Sequence, residues 1–428
     1  MAELVQHYLD DIFAEYAGVT DGALADYIPE LTEADPTKFG LTLSASDGYL
    51  YESGDARTDF TIQSISKPFT YALALESAGQ EAVDAKIGVE PSGDAFNEIS
   101  VDERTKTPKN AMINAGAIAA VSLIPGSSPD ERFAKLQDFY SACAGRPLEL
   151  DEDVYRSEKA TGNRNRAIAY MLTSFGVLDG DPDDVLDVYF RQCSLRVTSV
   201  DLARMAATLA RGGINPQTGR RVADAKVVQR TLSVMTTCGM YNGAGDWVSA
   251  VGMPAKSGVG GGILAVLPGQ LGIGVYSPLL DARGNSVRGV LVCRSLSDRL
   301  GLHFLNVSRE SRSTIRAVYE AAPGVRVYEM HGDLMFAGAE RVLRTADRDS
   351  DEFSVGILDV TRVDTINDAA RALLRSMSAT LRSAGKLGLV IDPDAAVILP
   401  GRGFDDIVFT NLDDALLAAR KWLAANVS

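Results

Sequence analysis

The spacing of apolar residues predicts that the chain begins with a helix and then enters a sheet. The first thirty residues follow the period of an amphipathic α-helix, whereas residues 40–51 alternate apolar and polar positions around a Ser-Asp-Gly turn. In that alternation Leu41, Leu43 and Leu50 are the apolar positions, which is typical of a β-hairpin. We therefore expect the first strands of a sheet close to the N-terminus.

The middle of the chain is mainly helical in pattern, and strand-like runs return after it. Apolar residues recur at helical spacing from Ile62 to about Arg211, where Gly212 and Gly213 end the last predicted helix. Because strands from both ends of a region can join one antiparallel sheet, the order predicts an α+β domain over residues 1–315. The later strands are expected at 250–254, 262–267, 271–277 and 287–292.

A second pattern begins after residues 321–326, which read Ala-Ala-Pro-Gly-Val-Arg and indicate a boundary. Strand-like and helix-like segments are mixed from there to the end of the chain, without an internal repeat or a low-complexity tract. We expect a small α/β domain over residues 324–428.

Composition and charge narrow the classes of function. Of the 428 residues 46% are hydrophobic and 23% are charged, which is ordinary for a large globular domain with a smaller one. The formal net charge of -15 disfavours nucleic acid or an anionic membrane as a partner, because both would be repelled. No basic start precedes an apolar leader and no run of 18 uncharged apolar residues occurs, so we expect a cytoplasmic protein.

Cysteine and histidine usage gives no sign of a metal centre. The four cysteines and three histidines are scattered, without the paired spacing that a zinc site uses. We therefore predict no metal, no other cofactor and no Cys/His catalysis.

Ser64-Ile65-Ser66-Lys67 is the first candidate for catalysis, because it opens a helical run and places a hydroxyl and an amine on one helix face. Lysine acts as a base only when its pKa is lowered. A shift from about 10.4 to about 7.5 needs roughly 4 kcal/mol. Burial beside the positive end of a helix dipole acts in that direction. A second S-x-x-K match, Ser383 to Lys386, reads as a helix end, so the motif needs a companion.

That companion is Lys256-Ser257-Gly258, which is followed by Gly260, Gly261 and Gly262. It resembles the K-[ST]-G strand that accompanies S-x-x-K in penicillin-recognising enzymes. Small residues on an edge strand allow a substrate to approach the backbone, where an N–H group can stabilise an oxyanion by about 3–4 kcal/mol. A glycine-rich β-turn is the alternative interpretation.

Taken together, the motifs resemble the serine-dependent glutaminases, a family of bacterial enzymes that also includes the catalytic domain of the animal kidney- and liver-type enzymes. The matching segments run in order over about residues 20–300. They are residues 25–31 (Ala-Asp-Tyr-Ile-Pro-Glu-Leu), 63–67 (Gln-Ser-Ile-Ser-Lys), 90–93 (Glu-Pro-Ser-Gly), 114–118 (Asn-Ala-Gly-Ala-Ile), 157–158 (Ser-Glu), 163–165 (Asn-Arg-Asn), 238–241 (Cys-Gly-Met-Tyr) and 254–259 (Pro-Ala-Lys-Ser-Gly-Val).

The resemblance implies a fold similar to β-lactamases and penicillin-binding proteins, and hydrolysis of L-glutamine. In such an enzyme Ser64 attacks the side-chain amide, Lys67 activates it, and water hydrolyses the acyl-enzyme after ammonia has left. Tyr241 would be a second acid or base, with a pKa lowered by Lys67 and Lys256. The resemblance also implies a homo-oligomer, either a dimer or a tetramer.

Several further residues are carried over by motif as the groups that hold the substrate. A cationic α-amine suits a carboxylate, and an α-carboxylate suits neutral donors. Taken singly, Glu158 could be a solvated helix charge, and Asn114 and Asn165 could be helix caps. The three tyrosines of the set could be rings at the edge of the core. The predicted substrate-binding set is Tyr27, Ser64, Asn114, Glu158, Asn165, Tyr189, Tyr241 and Val259.

The C-terminal region resembles STAS domains of the anti-sigma-factor-antagonist type, through residues 332–334 and 358–364. In that family a phosphorylatable serine follows an aspartate at a helix start, and Thr365 takes this place here. The glycine usual shortly afterwards is absent, so the simpler expectation is that Thr365 is a helix N-cap. We expect this domain to tune activity or assembly by binding a regulatory partner.

Two other functions compete with this hypothesis. A β-lactamase or penicillin-binding transpeptidase shares both motifs, but such proteins are usually exported and this sequence begins without a signal peptide. A catalytically inactive glutamine sensor is the other alternative. The complete Ser64/Lys67 and Lys256/Ser257/Gly258 sets argue against it.

Overall fold

The computed structural model describes residues 2–92, 101–102, 104–306, 314–393 and 408–426. Gly93, which ends one of the motifs quoted above, lies outside the described residues. The chain divides into two compact units. One is Ile12–Arg294, and the other combines Met1–Asp11 with Ser295–Ser428. The predicted domain limits of 315 and 324 stay a prediction.

The described residues form the following regular elements. The helices are α1 Ala2–Ala17, α2 Pro29–Thr32, α3 Lys67–Ala78, α4 Gln80–Asp84, α5 Asn114–Ser122, α6 Pro129–Ala144, α7 Glu152–Thr161, α8 Asn163–Ser174, α9 Pro182–Cys193, α10 Ser199–Ala210, α11 Ala225–Cys238, α12 Ala244–Ala250, α13 Val287–Leu300, α14 Phe336–Arg348, α15 Asp368–Ser383 and α16 Leu412–Asn426. The strands are β1 Gly40–Ala45, β2 Leu50–Gly54, β3 Phe60–Thr61, β4 Arg196–Val197, β5 Ala255–Gly258, β6 Gly262–Leu267, β7 Leu271–Tyr276, β8 Ile315–Ala322, β9 Val325–Leu334, β10 Val355–Ile366, β11 Leu387–Ile391 and β12 Val408–Phe409. Short 3-10 turns cover Gln63–Ser66, Tyr241–Gly243, Phe304–Asn306 and Ser350–Glu352.

The larger unit contains the predicted antiparallel sheet, whose strand order is β2-β1-β7-β6-β5. Strands from before and after the helical region therefore lie side by side, with Leu43 opposite Ile273. The predicted hairpin is β1–β2, in which Ser44 pairs with Leu50 across the turn. The α+β architecture with one antiparallel sheet and a helical region is confirmed.

Two predicted strands are wrong. Residues 287–292 belong to helix α13, where the buried residues Val292, Leu296 and Leu300 follow helical spacing. A short apolar run does not distinguish a buried strand from a buried helix, which explains the error. Residues 250–254 precede the strand rather than form it, because α12 ends at Ala250 and β5 begins at Ala255.

Helix α10 covers one face of this sheet at unusually short range. A Cβ atom added to Gly274 on β7 would lie 2.0 Å from the carbonyl oxygen of Ser199, and one added to Gly272 would lie 2.3 Å from that of Ala203. The buried hydroxyls of Thr42 and Ser199 are 2.9 Å apart and link β1 to the same helix. The glycines of β7 therefore set the distance between the helix and the sheet.

The helical region of this unit has an alanine-rich helix at its centre. Residues 115–121 of α5 are all fully buried. The helix contacts α3, α8 and α9. A Cβ atom at Gly116 would lie 1.9 Å from the Asn110 carbonyl oxygen. Small side chains thus allow α5 to bring its first residue, Asn114, against the start of α3.

The smaller unit has a mixed five-stranded sheet of order β12-β11-β10-β9-β8. The four strands β9, β10, β11 and β12 run parallel to one another, whereas β8 pairs antiparallel with β9. The mixed sheet with helices α14, α15 and α16 agrees with the α/β class expected for this region. The finer resemblance to STAS domains stays a prediction.

Thr365 is not the N-cap of the helix that follows it, contrary to expectation. It lies in β10, and its hydroxyl donates to Asp333 Oδ1 at 2.6 Å. The cap of α15 is Asn367, whose side chain accepts from the Ala370 N–H. Because β10 extends to Ile366, the helix starts later than the local sequence suggested.

No helix in the described part of the chain is both long and apolar enough to span a bilayer.

The close approach of α10 to β7 can be tested with two Gly→Ala variants. Gly274→Ala should lower the free energy of unfolding by about 2–3 kcal/mol, because the new methyl group overlaps the helix backbone. Gly245→Ala in α12, where a Cβ atom would meet nothing within 4 Å, should raise it by about 0.5–1 kcal/mol. Urea unfolding of both variants measures the difference, and shifts of the same sign would contradict this packing.

Candidate active site

Ser64 lies in the 3-10 turn that leads β3 into α3, and it is 7% exposed. Lys67 is the first residue of α3 and is fully buried, and Pro68 occupies the first turn of the helix, where a missing N–H group is tolerated. Gln63 has a φ angle of +49°, in the left-handed region that non-glycine residues rarely adopt. The hydroxyl therefore sits on a strained turn at a helix N-terminus.

A buried polar network holds this turn in place. The Ser66 hydroxyl donates to the Gln63 carbonyl at 2.6 Å, and the Tyr140 hydroxyl donates to the Ser66 carbonyl at 2.7 Å. The Gln192 amide donates to Ser66 Oγ at 3.3 Å. The Thr70 hydroxyl donates to Gln192 Oε1 at 2.7 Å, and its oxygen lies 2.5 Å from the Tyr140 hydroxyl oxygen. Strained backbone persists where surrounding contacts over-determine it, and this network supplies such contacts.

The Lys67 ammonium lies between the N-terminal ends of two helices. Its Nζ donates to Oδ1 of Asn114, the first residue of α5, at 2.6 Å. Burial lowers the pKa of Lys67 to about 8, while Cys193 and Glu158 act in the opposite direction. The direction is the one expected for a lysine that serves as a base.

Tyr241 follows the end of α11 and has a φ angle of +55°. Its hydroxyl donates to the Ser257 carbonyl at 3.1 Å and is also hydrogen-bonded to the Ser64 side chain. The Lys256 ammonium lies 4.0 Å from the centroid of the Tyr241 ring.

The expectation of a lowered Tyr241 pKa is wrong. Burial raises the pKa of Tyr241 to about 12, because the phenolate would be desolvated and Lys256 lies over the ring rather than beside the oxygen. Burial, and then the charge of Lys67, hold the pKa of Lys256 well below its ordinary value. The phenol is therefore neutral near pH 7.

The K-S-G segment forms β5, an edge strand of the sheet. The Ser257 hydroxyl donates to Asn285 Oδ1 at 2.6 Å, which links the strand to the segment that precedes α13. A Cβ atom at Gly258 would lie 3.4 Å from the backbone nitrogen of Ser64, so little space separates this strand from the turn. Val259 comes next and packs in a small apolar cluster with Ile28, Leu31, Val154 and Leu280.

A buried carboxylate forms the opposite side of the site. Glu158 on α7 is 6% exposed and accepts from the Tyr27 hydroxyl at 2.8 Å, so it is not a solvated helix charge. Burial raises the pKa of Glu158. Hydrogen bonds from Tyr27 and Gln63 and the charge of Lys67 oppose this rise, and the charge of Glu30 adds to it. The carboxylate is thus held in a poorly solvated position by neutral donors.

Tyr27 combines an exposed ring with a buried hydroxyl. Although 44% of its surface is exposed, its hydroxyl contacts both Glu158 and Gln63 Oε1, each at 2.8 Å. Burial of that end, followed by the charge of Glu158, raises the pKa of Tyr27 well above its ordinary value. The Tyr27 ring therefore lies at the edge of the site, and its hydroxyl faces Glu158.

The remaining predicted residues are amides and a buried phenol. Asn114 Nδ2 donates to Oδ1 of Asn165 on α8 at 2.9 Å. Burial, and then Cys193 and Glu158, raise the pKa of Tyr189 on α9 well above its ordinary value. The structure thus brings into one region the residues predicted from separate motifs, namely Tyr27, Ser64, Lys67, Asn114, Glu158, Asn165, Tyr189, Tyr241 and Val259.

Other residues of the site were not predicted from the sequence. Gln63 lies inside a quoted motif, and its position next to Ser64 was the signal that could have identified it. Tyr140 and Gln192 contact Ser66 across 74 and 126 sequence positions, and Asn285 contacts Ser257 across 28. Local spacing carries no information on such pairs.

The arrangement suits acyl transfer without a metal-binding cluster. A serine hydroxyl at a helix N-terminus has a lysine of lowered pKa and a phenol beside it, which are the parts of an activated nucleophile. No group of three or more His, Cys, Asp or Glu side chains within the described residues is placed to hold a metal ion.

Comparison with known proteins identifies one family. A family model described as Glutaminase matches residues 22–305. A protein named Glutaminase from Microcystis aeruginosa is 50% identical over 307 residues, which cover 72% of this chain and 91% of the relative. A structure of Mglu in its glutamate form is 41% identical with a TM-score of 0.70, and the match covers 92% of this chain and 99% of that one.

Some relatives are longer than this chain. Glutaminase 2 of Bradyrhizobium diazoefficiens is 47% identical over 400 residues, which cover 89% of this chain. The chain spans only 64% of the length of that relative and 58% of Glutaminase 1 of the same organism, which is less than two thirds in both cases.

The desolvation of Lys67 predicts a pH-dependent effect on stability. Because the pKa falls from 10.5 to about 8 on folding, burial of the ammonium destabilises the folded state by roughly 3 kcal/mol below pH 8, and this effect disappears as the pH rises to 10.5. Lys67→Met removes this cost but also removes the hydrogen bond to Asn114. The variant should therefore be more stable than the parent by about 1–3 kcal/mol at pH 7. The advantage should shrink between pH 8 and 10.5.

Unfolding curves at several pH values measure this effect. Lys226→Met, which removes an exposed lysine, is the matched control and should show no change of comparable size. An advantage of Lys67→Met that grew with pH would contradict the assignment.

Proposed function

The chain belongs to the glutaminase family, and we propose that it hydrolyses the side-chain amide of L-glutamine to L-glutamate and ammonia. The observation that carries the proposal is that Ser64 is hydrogen-bonded to Tyr241, beside Lys67 and a buried carboxylate, with two amides nearby. The glutamate form of the Mglu structure supports a site that accepts this product.

In the proposed first step, the Ser64 oxygen attacks the amide carbon of the substrate. Neutral Lys67 accepts the serine proton, a role that suits a pKa of about 8. The backbone N–H groups of Ser64 and Val259 would stabilise the oxyanion, since β5 passes directly beside the Ser64 nitrogen. The carbon–nitrogen bond then breaks, the leaving nitrogen takes the proton, and a glutamyl ester of Ser64 remains.

In the second step, water attacks the ester and the same groups act in reverse. A proton passes from water to the serine oxygen, which releases glutamate and restores the hydroxyl. Tyr241, which is neutral near pH 7, would donate a hydrogen bond or relay a proton rather than act as a phenolate base. The Lys256 side chain packs over the Tyr241 ring and donates to the same Ser257 carbonyl that accepts from Tyr241, so it helps to position the phenol.

The rest of the site would hold the amino-acid end of the substrate. The α-ammonium group is assigned to Glu158, which has neutral hydrogen-bond donors around it and gains a cation on binding. The α-carboxylate is assigned to uncharged donors among Tyr27, Asn114, Asn165 and Tyr189. We place the reacting carbonyl between Tyr241 and Val259.

Ammonia release from L-glutamine tests both the activity and its nucleophile. The whole chain should turn over L-glutamine, and Ser64→Ala should lose at least 1,000-fold in kcat, because the remaining groups cannot form the ester. Hydroxylamine should divert the ester to the glutamyl hydroxamate in the parent only. Covalent labelling by a penicillin in place of glutamine turnover would point to the penicillin-recognising alternative.

We also propose that residues 1–315 form the catalytic domain and residues 324–428 a STAS-like domain that tunes activity or assembly, in a chain that forms a homo-oligomer. The Microcystis relative supports a separable catalytic region, because the match covers 91% of it but only 72% of this chain. Strand β8 belongs to the sheet of the smaller unit, so a truncation should end before residue 315.

A chain of residues 1–314 should retain glutamine turnover while its number of subunits or its kinetics change, because the regulatory surface has been removed. Light scattering, which gives the number of subunits, and steady-state kinetics on the whole and truncated chains check this. An unchanged number of subunits together with unchanged kinetics would contradict a role for the C-terminal region in activity or assembly.

A further inference from the structure

A short segment before and within α2 is fastened to helix α7 by two hydrogen bonds. The Tyr27 hydroxyl donates to Glu158 Oε1 at 2.8 Å, and the Ser157 hydroxyl donates to Glu30 Oε1 at 2.6 Å. The acceptor and donor on α7 are consecutive residues. Apolar contacts of α2 with Val154 and Val259 complete the attachment. The fastening places a second carboxylate, that of Glu30, beside the buried Glu158.

The Glu30 carboxylate is incompletely satisfied. Its Oε2 atom is buried and has no hydrogen-bond partner among the described residues. Within those residues neither Glu30 nor Glu158 forms an ion pair, and the nearby Lys67 ammonium donates to Asn114. A buried carboxylate oxygen without a partner costs free energy that a bound donor can recover. An ammonium group would satisfy this oxygen and would also balance its charge.

We propose that Glu30 is a second specificity-determining carboxylate, positioned by Ser157, that binds the substrate α-ammonium group together with Glu158. The inference rests on the proposed function and deepens it, because it defines the substrate class as amino acids with a free α-amine. Peptide-bound or N-acylated glutamine would leave both carboxylates without a cation.

The charges around Glu158 fit this assignment. The groups that face it are Tyr27 and Glu30 from the α2 side, Lys67 from α3, and Tyr189 and Cys193 from α9. Among the described groups that face Glu158, Lys67 is the one with a positive charge. The negative charge of Glu30 raises the pKa of Glu158, and an ammonium group between the two carboxylates would relieve this repulsion. Selectivity for a substrate with an α-amine then arises because its ammonium group relieves the repulsion between the Glu30 and Glu158 carboxylates.

Glu30→Gln tests the role of this charge, because glutamine keeps an acceptor for the Ser157 hydroxyl. We expect kcat/KM for L-glutamine to fall about tenfold, mainly through KM, since one of two charged contacts to the ammonium is lost. For 4-carbamoylbutanoate, which is glutamine without its amine, kcat/KM should stay the same or rise.

Two further variants serve as comparisons in the whole chain. Glu33→Gln removes the same charge from the exposed end of α2 and should leave both substrates unaffected. Ser157→Ala keeps the charge but frees the Glu30 side chain, so its effect on KM should be intermediate. Calorimetric binding of L-glutamate and of glutarate should show the same selectivity for the amine without turnover.

The possible results separate the two proposals. A parent chain that binds L-glutamate tightly but releases no ammonia from glutamine would overturn the proposed hydrolysis while amine recognition by Glu30 stands. An active parent with an unaffected Glu30→Gln variant would overturn the role of Glu30. Equal losses for glutamine and 4-carbamoylbutanoate would also overturn it, since they indicate a merely structural role.

Discussion

The burial of the Lys67 ammonium is the constraint on which the proposed chemistry depends, because a lysine has to lose its hydration shell to be useful as a base. The ammonium is fully buried at the start of α3, and the first residue of α5 supplies its acceptor. Helix α5 can come this close because its residues 115–117, next to Asn114, are alanine and glycine. A larger side chain there would separate the two helices and admit water, which would return the lysine to its ordinary protonation.

Small residues allow the same close packing in the sheet. Gly272 and Gly274 let α10 rest on β7, and Gly258 lets the edge strand lie against the turn that carries Ser64. Backbone atoms, rather than side chains, thus define the distances among nucleophile, strand and helix. Backbone positions are held by hydrogen-bonded sheets and helices, so they vary less than rotamers do, and this suits a site that requires accurate geometry.

Sequence patterns predicted those parts of the molecule that depend on local order. The β1–β2 hairpin and the S-x-x-K and K-S-G segments were identified because period, turn residues and spacing are local properties. Helix α13 was taken for a strand because a six-residue segment with four apolar positions does not reveal its continuation. The protonation of Tyr241 was misjudged for another reason. Its pKa depends on burial, which outweighs the hydrogen bonds with Ser64 and Ser257, and burial is set by contacts between distant segments.

Gln63 illustrates how backbone and side chain can make opposite demands at one position. Its φ angle of +49° favours glycine, whereas its amide is needed between Tyr27 and Glu158. Selection for thermal stability alone would therefore drift toward glycine at residue 63, and selection for turnover would restore the amide. The position therefore combines a strained backbone with a side chain that contacts two groups of the site, and libraries screened only for heat resistance should be expected to lose that side chain.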